Sequence, residues 1–108
     1  MNSPLENEVR DEIAQNKVLI YMKGTKDAPR CGFSARAIGV LRELNVPFKD
    51  VDVLANQDKW QAVKEVSDWP TIPQIYIGGT FIGGGDQLME LHAKGELEPL
   101  VRRAVSGT

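Results

Sequence analysis

Residues 30–34, Arg-Cys-Gly-Phe-Ser, are the stretch on which the fold depends, and they contain the only cysteine of the chain, Cys31. The apolar run over residues 18–22 precedes them and predicts a buried strand, which a polar loop over residues 23–30 follows. The apolar pattern of residues 34–44 predicts a helix directly after the cysteine. The sequence therefore predicts a thiol at the N-terminus of a helix, after a strand and a loop.

This position favours a reactive thiol. The unpaired backbone N–H groups of a helix start and nearby cations both lower the pKa of a thiol, and Arg30 and Lys23 are the candidate cations. The alternative is that Cys31 is a small buried hydrophobe. Gly32 and the polar loop disfavour that alternative. We therefore predict that Cys31 is a thiolate that acts as a nucleophile or as a metal ligand.

Length and composition predict one domain over residues 1–108 and exclude several classes of function. The chain is 42% hydrophobic and 26% charged, which is ordinary for a soluble globular protein. A net charge of -2 gives no basic patch for nucleic acid, and no apolar run approaches the roughly 20 residues that span a bilayer. Residues 1–6 lack the pattern of a signal peptide, and one cysteine cannot form an internal disulfide. We expect a cytoplasmic protein, with a mature organellar form as the alternative.

Periodic patterns predict the remaining elements of the first half. Leu5, Val9 and Ile13 recur four residues apart and predict a helix over residues 4–15. The apolar run of residues 18–22 has no polar face, so its strand belongs in the centre of a sheet. Residues 48–53, rich in aromatic and β-branched side chains, predict the second strand.

The second half predicts a helix, a hairpin and a last helical region. The helix opens at residues 56–58 and ends at residues 68–70, Asp-Trp-Pro. Strands over residues 74–77 and 80–83 are joined by two glycines, which is a strong hairpin pattern. The last helical region follows, with a break at Gly95.

The order of elements is therefore helix, strand, helix, strand, helix, strand, strand, helix. A βαβ half followed by a ββα half predicts the α/β class and a mixed sheet with helices on both faces. We expect the thioredoxin-like arrangement, with four strands in the spatial order second, first, third, fourth.

The spacing around the thiol is Cys-x-x-Ser, so the chain has no resolving cysteine. Ser34 has a hydroxyl that can donate toward Cys31, but it cannot form a disulfide. Any thiol exchange must use a second thiol from solution. A [2Fe-2S] cluster needs four ligands, usually thiolates, and one chain supplies one. The sequence therefore allows a cluster only at an interface shared with another chain and with small thiols.

Two further motifs bear on a ligand site. Residues 71–73, Thr-Ile-Pro, precede a strand and resemble the Thr-x-Pro signature of the thioredoxin class, in which the proline is cis. This resemblance implies a cis Pro73 that presents the backbone of Ile72 to an extended peptide. The alternative is an ordinary trans turn. Residues 83–86, Gly-Gly-Gly-Asp, allow close approach of a ligand to a helix start, where Asp86 accepts from an amino group. The other interpretation is a strand-to-helix turn with Asp86 as the N-cap, and the two are compatible.

Three other side chains are interpreted as structural. His92 lies on an apolar helical stripe without a second histidine, so we interpret it as a packing or surface residue. Trp60 and Trp69 are interpreted as core residues, as large aromatic side chains usually are.

Four motifs together resemble the monothiol, CGFS-type, glutaredoxins. They are residues 23–25 (Lys-Gly-Thr), 31–34 (Cys-Gly-Phe-Ser), 69–74 (Trp-Pro-Thr-Ile-Pro-Gln) and 83–86 (Gly-Gly-Gly-Asp). The resemblance covers nearly the whole chain and implies the glutaredoxin fold. It further implies that Cys31 is the catalytic thiolate and the metal ligand of a [2Fe-2S] cluster, bound with glutathione across a homodimer, and that Phe33 shapes the surface around the cluster.

The resemblance also implies a glutathione site. In that family the glycine carboxylate of glutathione is bound at the position of Lys23. The backbone of Ile72, before cis-Pro73, pairs with the cysteinyl part, and Gly85 and Asp86 hold the γ-glutamyl end. The implied function is storage and transfer of iron–sulfur clusters, with BolA-like proteins and apo iron–sulfur proteins as partners.

Two positions depart from the family pattern. The family usually has an arginine where Trp60 stands, and that arginine helps to hold the glycine carboxylate; Lys59, Gln57 and Lys64 are the candidate replacements. The family often has cysteine or serine where Gly85 stands, so this chain has no second thiol near the site.

Two other functions remain open. The first is a glutathione-dependent thiol–disulfide oxidoreductase, in which Cys31 attacks a protein–glutathione mixed disulfide and a second glutathione regenerates it. The second is a thioredoxin-fold interaction module in which Cys31 is inert.

Overall fold

The first helix and the first strand have the predicted boundaries. The structure is a computed structural model and describes residues 3–106. Helix α1 spans Pro4–Gln15, and the hydroxyl of Ser3 accepts a hydrogen bond of 3.1 Å from the backbone N–H of Glu6 at its N-terminus. Strand β1 spans Val18–Met22, and all five residues are buried, which confirms a strand enclosed on both faces.

The loop after β1 contains a two-stranded ladder that the sequence did not predict. Strands β2 (Gly24–Thr25) and β3 (Ala28–Pro29) pair antiparallel. The backbone N–H of Gly24 donates to Asp52 at 3.0 Å, and that of Lys26 donates to Asp50 at 2.8 Å. The accepting carboxylates lie on a strand about 25 residues further along the chain, so no local sequence pattern predicts these bonds.

Helix α2 spans Gly32–Glu43 and begins two residues before the predicted start at residue 34. Cys31 is therefore its N-cap, in an extended conformation with φ -147° and ψ 136°. Gly32 and Phe33 form the first turn of the helix, so the backbone N–H groups of Phe33 and Ser34 lie near the thiol. The earlier start of the helix therefore affects the pKa of Cys31.

The middle of the chain contains one strand and two helical segments. Strand β4 covers Lys49–Asp52, shorter than the predicted 48–53, because Val53–Ala55 form a 3₁₀ helix. Helix α3 spans Gln57–Ser67. The side chain of Asn56 caps it by accepting from the backbone N–H of Lys59 at 3.0 Å.

A hairpin and two helices complete the chain. Strands β5 (Gln74–Ile77) and β6 (Thr80–Gly83) are joined by the two predicted glycines, with φ 61° and 80°. Helix α4 covers Gly85–Ala93 and α5 covers Leu97–Ser106. The break predicted at Gly95 lies between them, in the left-handed region with φ 73°.

The main sheet has the strand order β4-β1-β5-β6. Strand β1 pairs parallel with β4 and antiparallel with β5, and β5 pairs antiparallel with β6. Counted along the chain, these four strands lie in the order second, first, third, fourth, as predicted. The mixed sheet flanked by helices confirms the α/β, thioredoxin-like fold. Within residues 3–106, none of the helices is long and apolar enough to cross a membrane.

The side chains of β1 alternate between two apolar clusters, one on each face of the sheet. Val18, Ile20 and Met22 pack with residues of α2, α4 and α5. Leu19 and Tyr21 pack on the opposite face with residues of α1 and α3. This alternation explains why the strand shows no polar face in the sequence.

An ion cluster holds α1 against α3. It consists of Glu8, Glu12, Tyr21 and Lys59. The ammonium of Lys59 lies 2.8 Å from Glu12 and 3.2 Å from Glu8, and the Tyr21 hydroxyl donates to Glu12 at 2.7 Å. Burial alone would lower the pKa of Lys59, but the hydrogen bonds and charges of Glu12 and then Glu8 outweigh it and raise that pKa. Burial, and then the bond to Glu12, raise the pKa of Tyr21.

Candidate functional site

Cys31 lies at the N-terminus of α2 with a partly exposed thiol. The backbone N–H of Ser34 is the main group that lowers the pKa of the thiol below its ordinary value. Burial opposes this effect, and the backbone N–H of Phe33, the charge of Lys23 and the Ser34 hydroxyl support it. These donors stabilise the thiolate, which is the nucleophilic and metal-binding form.

The thiol opens into a groove of about 550 Å³. All six residues predicted for the site line this groove: Lys23, Cys31, Ile72, Pro73, Gly85 and Asp86. Phe33, which the resemblance places at the surface around the cluster, also lines the groove. Six further residues complete the lining: Trp60, Trp69, Pro70, Thr71, Gly84 and Gln87. The groove therefore brings together residues from five separated parts of the chain.

Lys23 is placed by the end of β1 and by two backbone contacts. Its N–H donates to the Ser34 hydroxyl at 3.3 Å, and its carbonyl accepts from the N–H of Arg30 at 2.9 Å. Its ammonium lies 5.4 Å from the centre of the Trp60 ring. The next residue, Gly24, has φ 89°, and a Cβ there would lie 2.5 Å from the carbonyl oxygen of Ala28. The sharp turn after Lys23 therefore requires glycine.

The bond between Ile72 and Pro73 is cis, which confirms the prediction from residues 71–73. Within residues 3–106, the backbone N–H and C=O of Ile72 have no hydrogen-bond partner. The buried amide of Gln74 donates to the carbonyls of Trp69 and Thr71, at 3.0 and 3.2 Å. Gln74 thereby holds the segment before the proline and leaves the backbone of Ile72 available to an extended ligand.

The N-terminus of α4 is capped by a residue other than Asp86. The N-cap is Gly84, and its backbone N–H donates to the side-chain oxygen of Gln87 at 2.8 Å. Asp86 lies exposed in the first turn, so the alternative that Asp86 caps the helix is wrong. A Cβ at Gly85 would lie 3.7 Å from Phe33 and from Pro73, which is ordinary contact, so the fold itself does not require glycine there.

Trp60 and Trp69 were interpreted as core residues, but both are half-buried and also form part of the groove wall. The Trp69 ring packs edge-on against Phe81 at 5.5 Å. Both indole Nε1–H groups are buried, and within residues 3–106 neither has an acceptor.

The three candidate replacements for the family's arginine have different surroundings. Lys59 belongs to the ion cluster and is only 9% exposed, so its charge is already paired. Gln57 is exposed at the first position of α3 and does not line the groove. The ammonium of Lys64 lies 5.6 Å from the centre of the Trp60 ring. Lys64 alone of the three contacts a residue of the groove through its charge.

His92 agrees with its structural interpretation. Its Nε2 lies 3.4 Å from a carboxylate oxygen of Glu43, and it is outside the groove. Within the part of the chain that the structure describes, no three His, Cys, Asp or Glu side chains form a group able to hold a metal ion.

The thiol of lowered pKa at the start of α2, the cis-proline before β5 and the mixed sheet define a thiol protein of the thioredoxin-like class. The family model described as Glutaredoxin matches residues 18–82. An uncharacterised monothiol glutaredoxin of Synechocystis sp. is 42% identical over 106 residues, which are 98% of this chain and 99% of that protein. The chain therefore belongs to the glutaredoxin family.

Solved structures agree with this assignment. The solution structure of reduced poplar apo GrxS14 is 43% identical, with a TM-score of 0.82 over 95% of this chain and 94% of that one. The crystal structure of a buckwheat glutaredoxin–glutathione complex has a TM-score of 0.82 over 93% of this chain and 89% of that one. At 22% identity, the buckwheat structure bears on the fold alone. The resemblance to monothiol glutaredoxins is confirmed.

Proposed function

We propose that this protein binds glutathione in the groove and a [2Fe-2S] cluster at Cys31, shared with a second copy of the chain. Its function would be storage and transfer of the cluster. The observation that supports this best is an accessible thiol of lowered pKa in a chain that has no second cysteine. Such a thiol is a good metal ligand, but it needs other thiols to complete a site.

Glutathione matches the chemistry of the groove. It is an extended peptide with a carboxylate at its glycine end and an ammonium and a carboxylate at its γ-glutamyl end. Lys23 supplies a cation for the first carboxylate, and Asp86 supplies an acceptor for the ammonium. The start of α4 attracts the second carboxylate, and the free backbone of Ile72 suits a peptide. The buckwheat glutaredoxin of the same fold was solved with glutathione.

The [2Fe-2S] cluster is the cargo of the protein. Its ligands follow from the number of thiolates that the chain and glutathione can supply. A [2Fe-2S] cluster takes four ligands, usually thiolates. Two copies of Cys31 supply two, and one glutathione bound beside each thiol supplies the others. Phe33, next to the thiol and 52% exposed, gives the rim an apolar surface that a second chain would cover.

The lowered pKa of Cys31 also favours a second function, a glutathione-dependent thiol–disulfide oxidoreductase. The Cys31 thiolate would attack the glutathionyl sulfur of a mixed disulfide and release the other thiol as a thiolate. The thiolate of a second glutathione would then attack the enzyme-bound glutathionyl sulfur. That step restores Cys31 and forms glutathione disulfide from the incoming glutathione and the glutathionyl group of the substrate, so the incoming glutathione thiolate supplies the electron pair that reduces the mixed disulfide.

The partners and the compartment belong to the same proposal. The resemblance to monothiol glutaredoxins supports BolA-like proteins and apo iron–sulfur proteins as partners. A free thiol and small-molecule thiols at millimolar level are features of reducing compartments, which supports the cytoplasm or the interior of an organelle.

Anaerobic reconstitution tests the proposal. Incubation with ferrous iron, sulfide and glutathione should give a coloured protein, measured by visible absorbance. Cys31→Ser should stay colourless while its circular dichroism matches that of the unchanged protein, and omission of glutathione should abolish the colour. A colourless unchanged protein would contradict cluster binding. If that protein instead reduced a glutathionylated substrate rapidly, the oxidoreductase function would be favoured.

A further inference from the structure

Residues 69–73 form one wall of the groove and belong to no helix or strand. They connect the end of α3 to the start of β5, and the prolines at positions 70 and 73 have no backbone N–H to donate. A segment without helix or strand bonds needs other hydrogen bonds to keep one conformation. The side chains around residues 69–73 therefore decide how well this wall of the groove is defined.

Two side chains that flank the segment hold the backbone of Trp69. The Ser67 hydroxyl accepts from the backbone N–H of Trp69 at 3.2 Å and donates to the carbonyl of Val63 at 2.8 Å. The amide of Gln74 donates to the carbonyl of Trp69 at 3.0 Å and to that of Thr71 at 3.2 Å. The backbone of Trp69 is thus tied to α3 on one side and to the first residue of β5 on the other.

Tyr76 orients the amide of Gln74. Its hydroxyl donates to the side-chain oxygen of Gln74 at 3.4 Å, and both residues are buried, Tyr76 with 4% and Gln74 with 0% exposure. Burial raises the pKa of Tyr76 and outweighs the opposing effect of the Ser67 hydroxyl, so the phenol stays protonated and remains a donor. With its oxygen bound to Tyr76, the amide directs both N–H groups at the two carbonyls.

We call Ser67, Gln74 and Tyr76 the clamp, and none of the three lines the groove. A buried amide is costly unless it is hydrogen-bonded, and the next residues of β5, Ile75 and Ile77 among them, bury apolar or aromatic side chains. The bonds to the two carbonyls account for an amide at this position. A buried polar network whose members are satisfied makes its surroundings rigid, so the clamp fixes the segment that it holds.

We propose that the clamp positions the wall of residues 69–72 for glutathione, with Gln74 and Tyr76 as positioning residues that do not touch the ligand. This inference rests on glutathione binding, the first part of the proposed function. The wall contains the Trp69 indole and the unpaired backbone of Ile72, so its position decides how well an extended peptide fits.

The thiol should not depend on the clamp. The pKa of Cys31 depends first on the backbone N–H of Ser34, then on burial, and then on Phe33 and Lys23. These groups belong to α2 and to the end of β1, and none of them is bonded by the clamp. Loss of the clamp should therefore weaken ligand binding and leave the thiol unchanged.

Two tyrosines on one face of the sheet give a matched pair for the test. Tyr21 and Tyr76 are both buried, and their rings pack edge-on at 6.0 Å. The Tyr21 hydroxyl donates to Glu12 of the ion cluster, whereas that of Tyr76 donates to Gln74 of the clamp. Tyr76→Phe and its control, Tyr21→Phe, therefore remove the same atom from neighbouring sites. Both proteins, Gln74→Met and the unchanged protein are titrated anaerobically with reduced glutathione in a calorimeter.

The expected result is a loss of affinity that follows the clamp. Tyr76→Phe should weaken glutathione binding about threefold to tenfold, the size expected for one lost hydrogen bond. Gln74→Met, which removes both donors to the carbonyls, should weaken it by more than about tenfold, and Tyr21→Phe should leave it within about twofold. The pH midpoint of Cys31 alkylation by iodoacetamide should be the same in every variant whose circular dichroism shows it folded. If Gln74→Met does not fold, Tyr76→Phe decides the test.

Two results would overturn the inference and leave glutathione binding intact. One is a Tyr76→Phe protein that binds glutathione as tightly as Tyr21→Phe does. The other is a loss of affinity together with a shift of the alkylation midpoint, which would show that the whole site loosens. Failure of the unchanged protein to bind glutathione would overturn both the inference and the proposed function.

Discussion

Lys59 and Lys64 lie on the same helix, α3, and their ammonium groups have opposite surroundings. That of Lys59 lies 2.8 Å from Glu12 and 3.2 Å from Glu8, with a side chain only 9% exposed. That of Lys64 lies over the Trp60 ring, and no carboxylate among residues 3–106 pairs with it. Little more than one helical turn therefore separates a charge that holds two helices together from a charge that remains available to a ligand.

The same difference distinguishes the ion cluster from the groove as a whole. In the ion cluster, the cation, the carboxylates and the phenol satisfy one another. In the groove, the ammonium of Lys23 has no carboxylate partner, and the indole N–H groups and the backbone of Ile72 have no hydrogen-bond partner among residues 3–106. Buried polar groups are normally paired, so the unpaired groups of the groove are available to a ligand or to water. Changes in the ion cluster should alter stability, and changes in the groove should alter affinity.

The largest expected effect is on stability. Lys59→Met should lower the free energy of unfolding by about 1–3 kcal/mol, because it leaves the partly buried carboxylate of Glu12 without its cation. Lys64→Met should change that free energy by less than about 0.5 kcal/mol. Urea unfolding followed by circular dichroism measures both. Equal effects of the two changes would remove the distinction between the two lysines.

The second prediction concerns alkaline pH. The pKa values of Lys59 and Tyr21 are raised in the folded protein, so both groups bind protons more tightly there than in the unfolded chain. Their contribution to stability is present below the ordinary pKa values, about 10 to 10.4, and is lost as the pH rises through the raised values. Urea unfolding at about pH 8 and about pH 11 should show this loss.

The control for the alkaline experiment is a protein without either titrating group. The double change Lys59→Met and Tyr21→Phe should lower stability at pH 8, and its difference from the unchanged protein should shrink at the higher pH. A difference that stays constant between the two pH values would show that the ion cluster does not titrate as described.

The smallest effect is expected at the thiol. The pKa of Cys31 is lowered mainly by the backbone N–H of Ser34, which Ser34→Ala retains. The rate of alkylation by iodoacetamide, measured against pH, should therefore have a midpoint below that of the same protein in urea, and Ser34→Ala should raise this midpoint only slightly. A midpoint equal to that of the unfolded chain would mean that the helix start does not activate the thiol.

Most of the fold was predictable because its signals are local. The four-residue spacing of Leu5, Val9 and Ile13, the run of residues 18–22 and the glycine pair at 78–79 all predict elements that the structure contains. The ladder of β2 and β3 was not predictable, because the carboxylates of Asp50 and Asp52 hold it from a distant strand. The start of α2 was placed two residues late, because Gly32 and Phe33 are weak helix formers.

The site residues that belong to motifs were predictable. The residues whose roles depend on the side chains that they contact in the folded protein were not. Cys31, Ile72 and Asp86 were placed by their motifs, and the structure brings them to one groove. The roles of Lys59 and Lys64 were not predictable. Lys59 meets carboxylates of α1, which depends on how α1 and α3 pack, and Lys64 meets an indole on its own helix.

Native mass spectrometry of the reconstituted protein tests the central claim most directly. The thiol count predicts a species with two chains, two glutathione molecules and one [2Fe-2S] cluster, since one chain supplies one cysteine and a cluster takes four ligands. The same measurement on Cys31→Ser should show only the monomer. A monomer without a cluster in the unchanged protein, or a cluster-containing dimer without glutathione, would contradict a site completed by borrowed thiols.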